Sequence, residues 1–113
     1  MANSFVNKKV DLTTTSATTL YTAPTAATSI IKSILVSEDS GNADTITVTI
    51  TDTSDAVFSL FKTKAISANA TTELLTAPLV LQQNEVLKVT AATANRLHVI
   101  LSALQSKPRE VIT

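Results

Sequence analysis

One ten-residue segment constrains the fold more than any other feature of the chain. Residues 44–53 read DTITVTITDT. Ile46, Val48 and Ile50 alternate there with Thr45, Thr47, Thr49 and Thr51. Side chains along a strand point to opposite faces in turn, so this segment buries an Ile/Val face and exposes a Thr face. A helix would scatter the same residues around its axis. Thr is β-branched, so it suits an exposed strand without adding apolar surface.

The same period recurs elsewhere. In residues 96–104, Leu97, Val99, Leu101 and Ala103 share a face opposite Arg96, His98, Ile100 and Ser102. In residues 86–92, Leu87, Val89 and Ala91 oppose Val86, Lys88 and Thr90. Residues 56–64, AVFSLFKTK, alternate less cleanly, with Phe58 and Phe61 on opposite faces. Residues 29–37, SIIKSILVS, are more continuously apolar. Their β-branched Ile30, Ile31, Ile34 and Val36 favour a strand covered on both faces over a short helix. Shorter candidate strands are residues 18–22, 72–76 and 78–82.

Turn signals fall between these runs. Asp39-Ser40-Gly41-Asn42 holds the only Gly and reads as a hairpin turn. Ala23-Pro24-Thr25, Thr53-Ser54-Asp55, Ser67-Ala68-Asn69, Gln82-Gln83-Asn84 and Thr93-Ala94-Asn95 read as further turns. Short strands about 8–12 residues apart predict an all-β fold. The expected architecture is a single antiparallel β-sandwich or jelly-roll-like domain of seven or eight short strands. The chain of 113 residues supports one core and not two. That core is expected over residues 10–104, with extended arms at 1–9 and 105–113. Pro108 favours extension in the second arm, because it fixes its own φ and disfavours a helical residue before it.

Composition removes most chemistry. The chain has no Cys, one Gly, one His and 4% aromatic residues. Disulfide frameworks, Cys-based metal sites and glycine-rich phosphate loops are therefore excluded. The formal net charge is +0, without the basic excess of a nucleic-acid binder. No apolar run approaches the ~20 residues of a transmembrane helix, and the first residues lack the apolar segment of a signal peptide. Synthesis in a cytoplasm is the expectation.

The candidate site residues are few. His98 sits mid-strand on the predicted outer face, with no nucleophile elbow in the sequence, and reads as a surface or interface histidine. Glu38, Asp39 and Asp44 flank Gly41 but lack the spacing of a calcium loop, so they read as a solvated hairpin tip. Asp52 and Asp55 flank another turn. Asn69-Ala70-Thr71 matches a glycosylation acceptor, as Thr-rich chains do by chance. Lys8 and Lys9 near one end, and Lys107 and Arg109 near the other, are too few for dedicated phosphate binding. They read as partner-contacting positions, together with Phe5, Pro108 and the apolar anchors Val111 and Ile112. No catalytic, cofactor-binding or metal-ligating residue is expected.

The order of segments carries a resemblance. LYTAP at residues 20–24, SILVS at 33–37, TVTIT at 47–51, ELL followed by PLVL within 73–81, and LKVTA with ANRLHVILS within 87–102 resemble small virion proteins of tailed bacteriophages. The resemblance covers residues 11–104. It implies a β-sandwich that works by assembly in a particle, and it implies no catalytic residues. The low Gly and aromatic content departs from the receptor-binding tips of tail fibres.

The functional expectation is a non-enzymatic virion structural protein made in the host cytoplasm. A capsid decoration or cement protein leads, and a tail, neck or fibre-associated module is the alternative. The partners expected are other copies, as a homo-oligomer, and virion proteins such as the major capsid protein, without direct contact to nucleic acid or membrane. The resemblance, not the spacing, implies a trimer. Low charge content and edge strands without dense Lys guards suggest edges closed by partners. An adhesion or carbohydrate-binding module is a third class, weakened by the absence of Trp and the single Tyr21.

Overall fold

The computed structural model describes residues 2–107, and every regular element among them is a strand. These are β1 (Ala2–Asp11), β2 (Thr18–Thr22), β3 (Thr28–Glu38), β4 (Asp44–Thr51), β5 (Val57–Ile66), β6 (Thr71–Glu73), β7 (Leu79–Leu81), β8 (Val86–Ala91) and β9 (Leu97–Lys107). They form two antiparallel sheets. The first runs β1-β9-β3-β6, with β7 also on β3, and the second runs β2-β8-β4-β5. The all-β sandwich is as expected, with nine strands where seven or eight were counted. The additional strand is β1, which falls within the segment read as the N-terminal arm. It is extended, but it pairs with β9 along its whole length, from Ala2 opposite Lys107 to Asp11 opposite His98. Gln105–Lys107 likewise belong to β9.

The alternating faces meet at the centre. Ile46 and Val48 of β4, Leu87, Val89 and Ala91 of β8, and Leu97, Val99, Leu101 and Ala103 of β9 are all buried. The apolar run of β3 has its own logic. A bulge at Lys32 shifts the register between Ile31 and Ser33, so Ile31 and Ile34 both reach the core although they are three positions apart. This irregularity is why residues 29–37 lack a clean period of two. One face of β3 is fully buried and the other is half-covered.

The chain crosses between the sheets at nearly every connection. Only β4 and β5 form a hairpin within one sheet; β3 and β4 lie in different sheets. The turn at 39–42 is therefore an arch between layers and not the hairpin its sequence suggests. Local turn chemistry does not distinguish the two, because both need a tight polar reversal. The reversals share a device. Ala26, Gly41, Asp55, Asn69, Asn84 and Asn95 all have positive φ, one in each of six connections. Asn and Asp tolerate this left-handed region better than most residues, which lets the chain turn six times with one Gly.

Two outcomes test this reading. Val48→Asp puts an unpaired carboxylate into the core and should abolish cooperative thermal unfolding, because marginal stability of roughly 5–15 kcal/mol cannot absorb it. Thr49→Glu, on the outer face opposite Lys88, should move stability by about 0.5 kcal/mol or less. For the turns, Asn95→Val should cost about 1–2 kcal/mol in denaturant unfolding, and Asn95→Gly should be close to neutral.

Candidate interaction surface

The polar residues near the arches do more than face solvent. Glu38 ends β3 with its side chain buried, at 1% exposure. One carboxylate oxygen accepts the backbone N–H groups of Gly41 at 3.0 Å and Asn69 at 3.1 Å. The other accepts the Ser40 N–H at 2.9 Å and the Ser40 hydroxyl. Asn69 belongs to the β5–β6 connection, so one side chain ties together two places where the chain changes sheet. Burial pushes this carboxyl up, but the Ser40 hydroxyl and the N–H groups of Asn69, Ser40 and Gly41 outweigh it and hold the pKa at about 2. Asp44 is also buried and accepts the Thr93 N–H at 3.1 Å. The expected solvated tip is thus corrected for Glu38 and Asp44, which are structural acceptors; Asp39 is exposed. Asp52 caps its own turn through the N–H groups of Ser54 and Ala56, at 2.8 and 3.0 Å.

Asp39 and Asp11 flank His98. Asp39 Oδ2 lies 3.3 Å from Nδ1 and Asp11 Oδ1 lies 3.3 Å from Nε2. The two carboxylates sit on opposite ring nitrogens, so the three groups do not converge on one point where an ion could sit. All three side chains are roughly half-exposed, which makes the cluster a surface tie between β1, β9 and the arch after β3.

The outer faces of the two sheets differ in chemistry. The second sheet presents Thr45, Thr47, Thr49 and Thr51 beside Lys88 and Thr90, with the exposed Val57 and Phe58 confined to its edge strand β5. The first presents apolar rows. Register places Phe5, Leu104, Ile30 and Val80 side by side across β1, β9, β3 and β7. Phe5 is 80% exposed and Val80 50%. A second row crosses β1, β9, β3 and β6 as Lys9, Ile100, Leu35 and Glu73. Between the rows lie the small polar residues Asn7, Ser102 and Ser33, with a 260 Å³ hollow shared by Phe5, Asn7, Ser102 and Lys32. Glu73 is anchored here. It accepts the Ser33 hydroxyl and the N–H groups of Ile34 at 2.8 Å and Leu75 at 3.2 Å. Burial raises its pKa, but the Ser33 hydroxyl and nearby N–H groups prevail and lower it, so the charge is retained near neutrality.

The structure brings Phe5 and Lys9 onto this face and sets Lys8 on the other side of the same edge strand, opposite Leu101. Lys107 is exposed at the end of β9. Pro108, Arg109, Val111 and Ile112 lie outside the described residues. The edges are better guarded than the sequence suggested. Lys8 on β1, and Lys64 on β5 opposite Ile46, both stand on the inward-facing side of an edge strand, and β5 carries two register shifts. Such charges and bulges oppose strand addition. At these two edges addition is opposed, and the apolar face remains open.

An acid titration checks the role of Glu38. A carboxyl whose pKa is lower in the folded state stabilises above its unfolded value and loses that contribution as pH falls. The thermal midpoint should hold above about pH 5 and decline toward pH 2, and Glu38→Gln should lower it at pH 7 and flatten the decline.

No family model, curated protein or solved structure matches the chain.

Proposed function

We propose that the protein is a non-enzymatic structural subunit of a phage particle, and specifically a decoration or cement protein that adds to the outside of the shell. The observation that carries this reading is the exposed apolar outer face of the first sheet, centred on Phe5, Leu104, Ile30 and Val80. Monomeric proteins seldom leave contiguous apolar surface of this kind in water, and such patches mark contacts with other macromolecules. The formal net charge of +0 removes long-range repulsion between neighbouring copies on a lattice. The resemblance of the strand segments to virion proteins of tailed phages supplies the particle.

In this reading the work is mechanical. Each copy buries apolar area against its neighbours and the major capsid protein, and the sum over a shell resists internal pressure. The protein contributes shape and surface, and no bond is made or broken.

Quantitative mass spectrometry of purified particles tests the assignment. A copy number that scales with the capsomers supports a shell protein. A few copies per particle would place it in the tail or neck, and absence from particles would overturn the virion reading altogether. Deletion of residues 108–113 removes none of the described strands, and it should weaken co-sedimentation with particles if that segment anchors the subunit. A cut at Gln105 is a poorer test, because Gln105 donates a hydrogen bond to the Tyr21 hydroxyl at 2.8 Å.

A further inference from the structure

We infer that the outer face of the first sheet is a self-complementary surface, on which a second copy of this chain packs about a two-fold axis running along the strands between β9 and β3.

The register of the sheet makes the case. Rotation about such an axis keeps each row of residues level and reverses its order across the strands. Phe5 of one copy then faces Val80 of the other, and Leu104 faces Ile30. In the second row Ile100 faces Leu35, and Lys9 faces Glu73. Every apolar position in the two rows meets an apolar position, and the two charges meet with opposite sign. An isologous interface demands this property, since residue i must suit residue j and residue j must suit residue i.

The electrostatics agree. Lys9 makes no ion pair among the described residues, whereas Glu73 is held in place by Ser33, Ile34 and Leu75 and keeps its charge. A fixed anion and a free ammonium at opposite ends of one row suit a copy turned by half a revolution. Lys32 shares its hollow with Phe5, Asn7 and Ser102. The small residues between the rows, Asn7, Ser102 and Ser33, let the two faces approach.

Aligned packing of sheets face to face is a common arrangement, with the strands of the two sheets within about 30°. Four strands about 4.8 Å apart, with the two rows four residues apart at about 3.4 Å rise, span roughly 15 by 14 Å between their outermost positions. That is smaller than a stable specific interface, so the pair should be weak and reversible. The other route to self-association, strand addition, is opposed at the β1 and β5 edges by the inward lysines and bulges already described. A two-fold pair also differs from the trimer that the family resemblance implies, so particle mass separates the two.

The test uses the full chain in solution, without particles. Sedimentation equilibrium over a range of concentrations should show a reversible species of twice the 11.9 kDa chain mass. Phe5→Ser changes a residue 80% exposed, so in dilute solution, where the chain is monomeric, it should leave the thermal midpoint unchanged, and it should raise the dimer dissociation constant about tenfold or more. Geometry is tested with cysteines, which the native chain lacks. In the double variant Phe5→Cys, Val80→Cys the two positions lie three strands apart within a copy, beyond the reach of an intramolecular disulfide. Under mild oxidation it should give a covalent dimer, whereas Phe5→Cys alone should not. Monomer at all concentrations, a trimer mass, or a dimer indifferent to Phe5→Ser would overturn the inference. So would a monomeric chain whose particle binding is lost on Phe5→Ser, because the face would then belong to another virion protein. The inference does not depend on the virion reading, and either can fail alone.

Discussion

The fold turns on the Glu38 carboxylate. It is an ionised group at 1% exposure, placed where the chain leaves one sheet for the other, and its acceptor capacity is filled by Ser40, Gly41 and Asn69. A buried charge is costly unless it is fully hydrogen-bonded. Here those bonds define the path of two arches at once. The Glu38 N–H also donates to the Ala70 carbonyl at 2.9 Å, which binds the same two arches through their backbones. Other arches are tied in pairs in the same way. The Ala23 N–H reaches the Glu85 carbonyl and the Asn84 N–H reaches the Ala23 carbonyl, at 2.9 and 2.8 Å. Leu12 accepts the Asn95 N–H at 2.8 Å. A sandwich whose connections mostly span the layers needs such ties, because each arch exposes backbone groups that no ladder satisfies.

Bulges are handled by the same economy of polar groups. The register shift at Lys32 disturbs the ladder around Ile34, and Glu73 on the neighbouring strand accepts that N–H. In the other sheet the irregularity near Thr63 is met by the Thr47 hydroxyl, which accepts its N–H at 3.1 Å. Between the layers, the Tyr21 hydroxyl reaches across to Ser29 at 2.7 Å and accepts from Gln105. Among the described residues no buried side-chain polar atom lacks a partner. The core can therefore be aliphatic and close-packed with Tyr21 as its one buried aromatic ring, and the exposed apolar residues collect on the outer face of the first sheet and on the edge strand β5.

Much of this was legible in the residues. The alternation in 44–53, 86–92 and 96–104 located the core faces of β4, β8 and β9, because a half-buried strand must repeat every second residue. Asp55, Asn69, Asn84 and Asn95 lay in segments readable as turns, since their short polar side chains suit left-handed backbone. The role of Glu38 was not legible. A carboxylate beside Asp39, Ser40 and Gly41 resembles any solvated loop, and the partner that buries it, Asn69, stands 31 positions away. The rows on the outer face were equally hidden. Phe5, Ile30, Val80 and Leu104 belong to four strands, and only the register of each pairing brings them level.

The class of fold and the inward residues of the clearest strands follow from periodicity, a local property that the burial of one face enforces. The number of layers a turn crosses, the pairing of β1 with β9 and the composition of the two outer faces were decided by the tertiary structure alone. The physical reason is that hydrogen-bonded registers and arch contacts join residues far apart in the chain, and a shift of one residue in any of them would carry a different set of side chains to the surface.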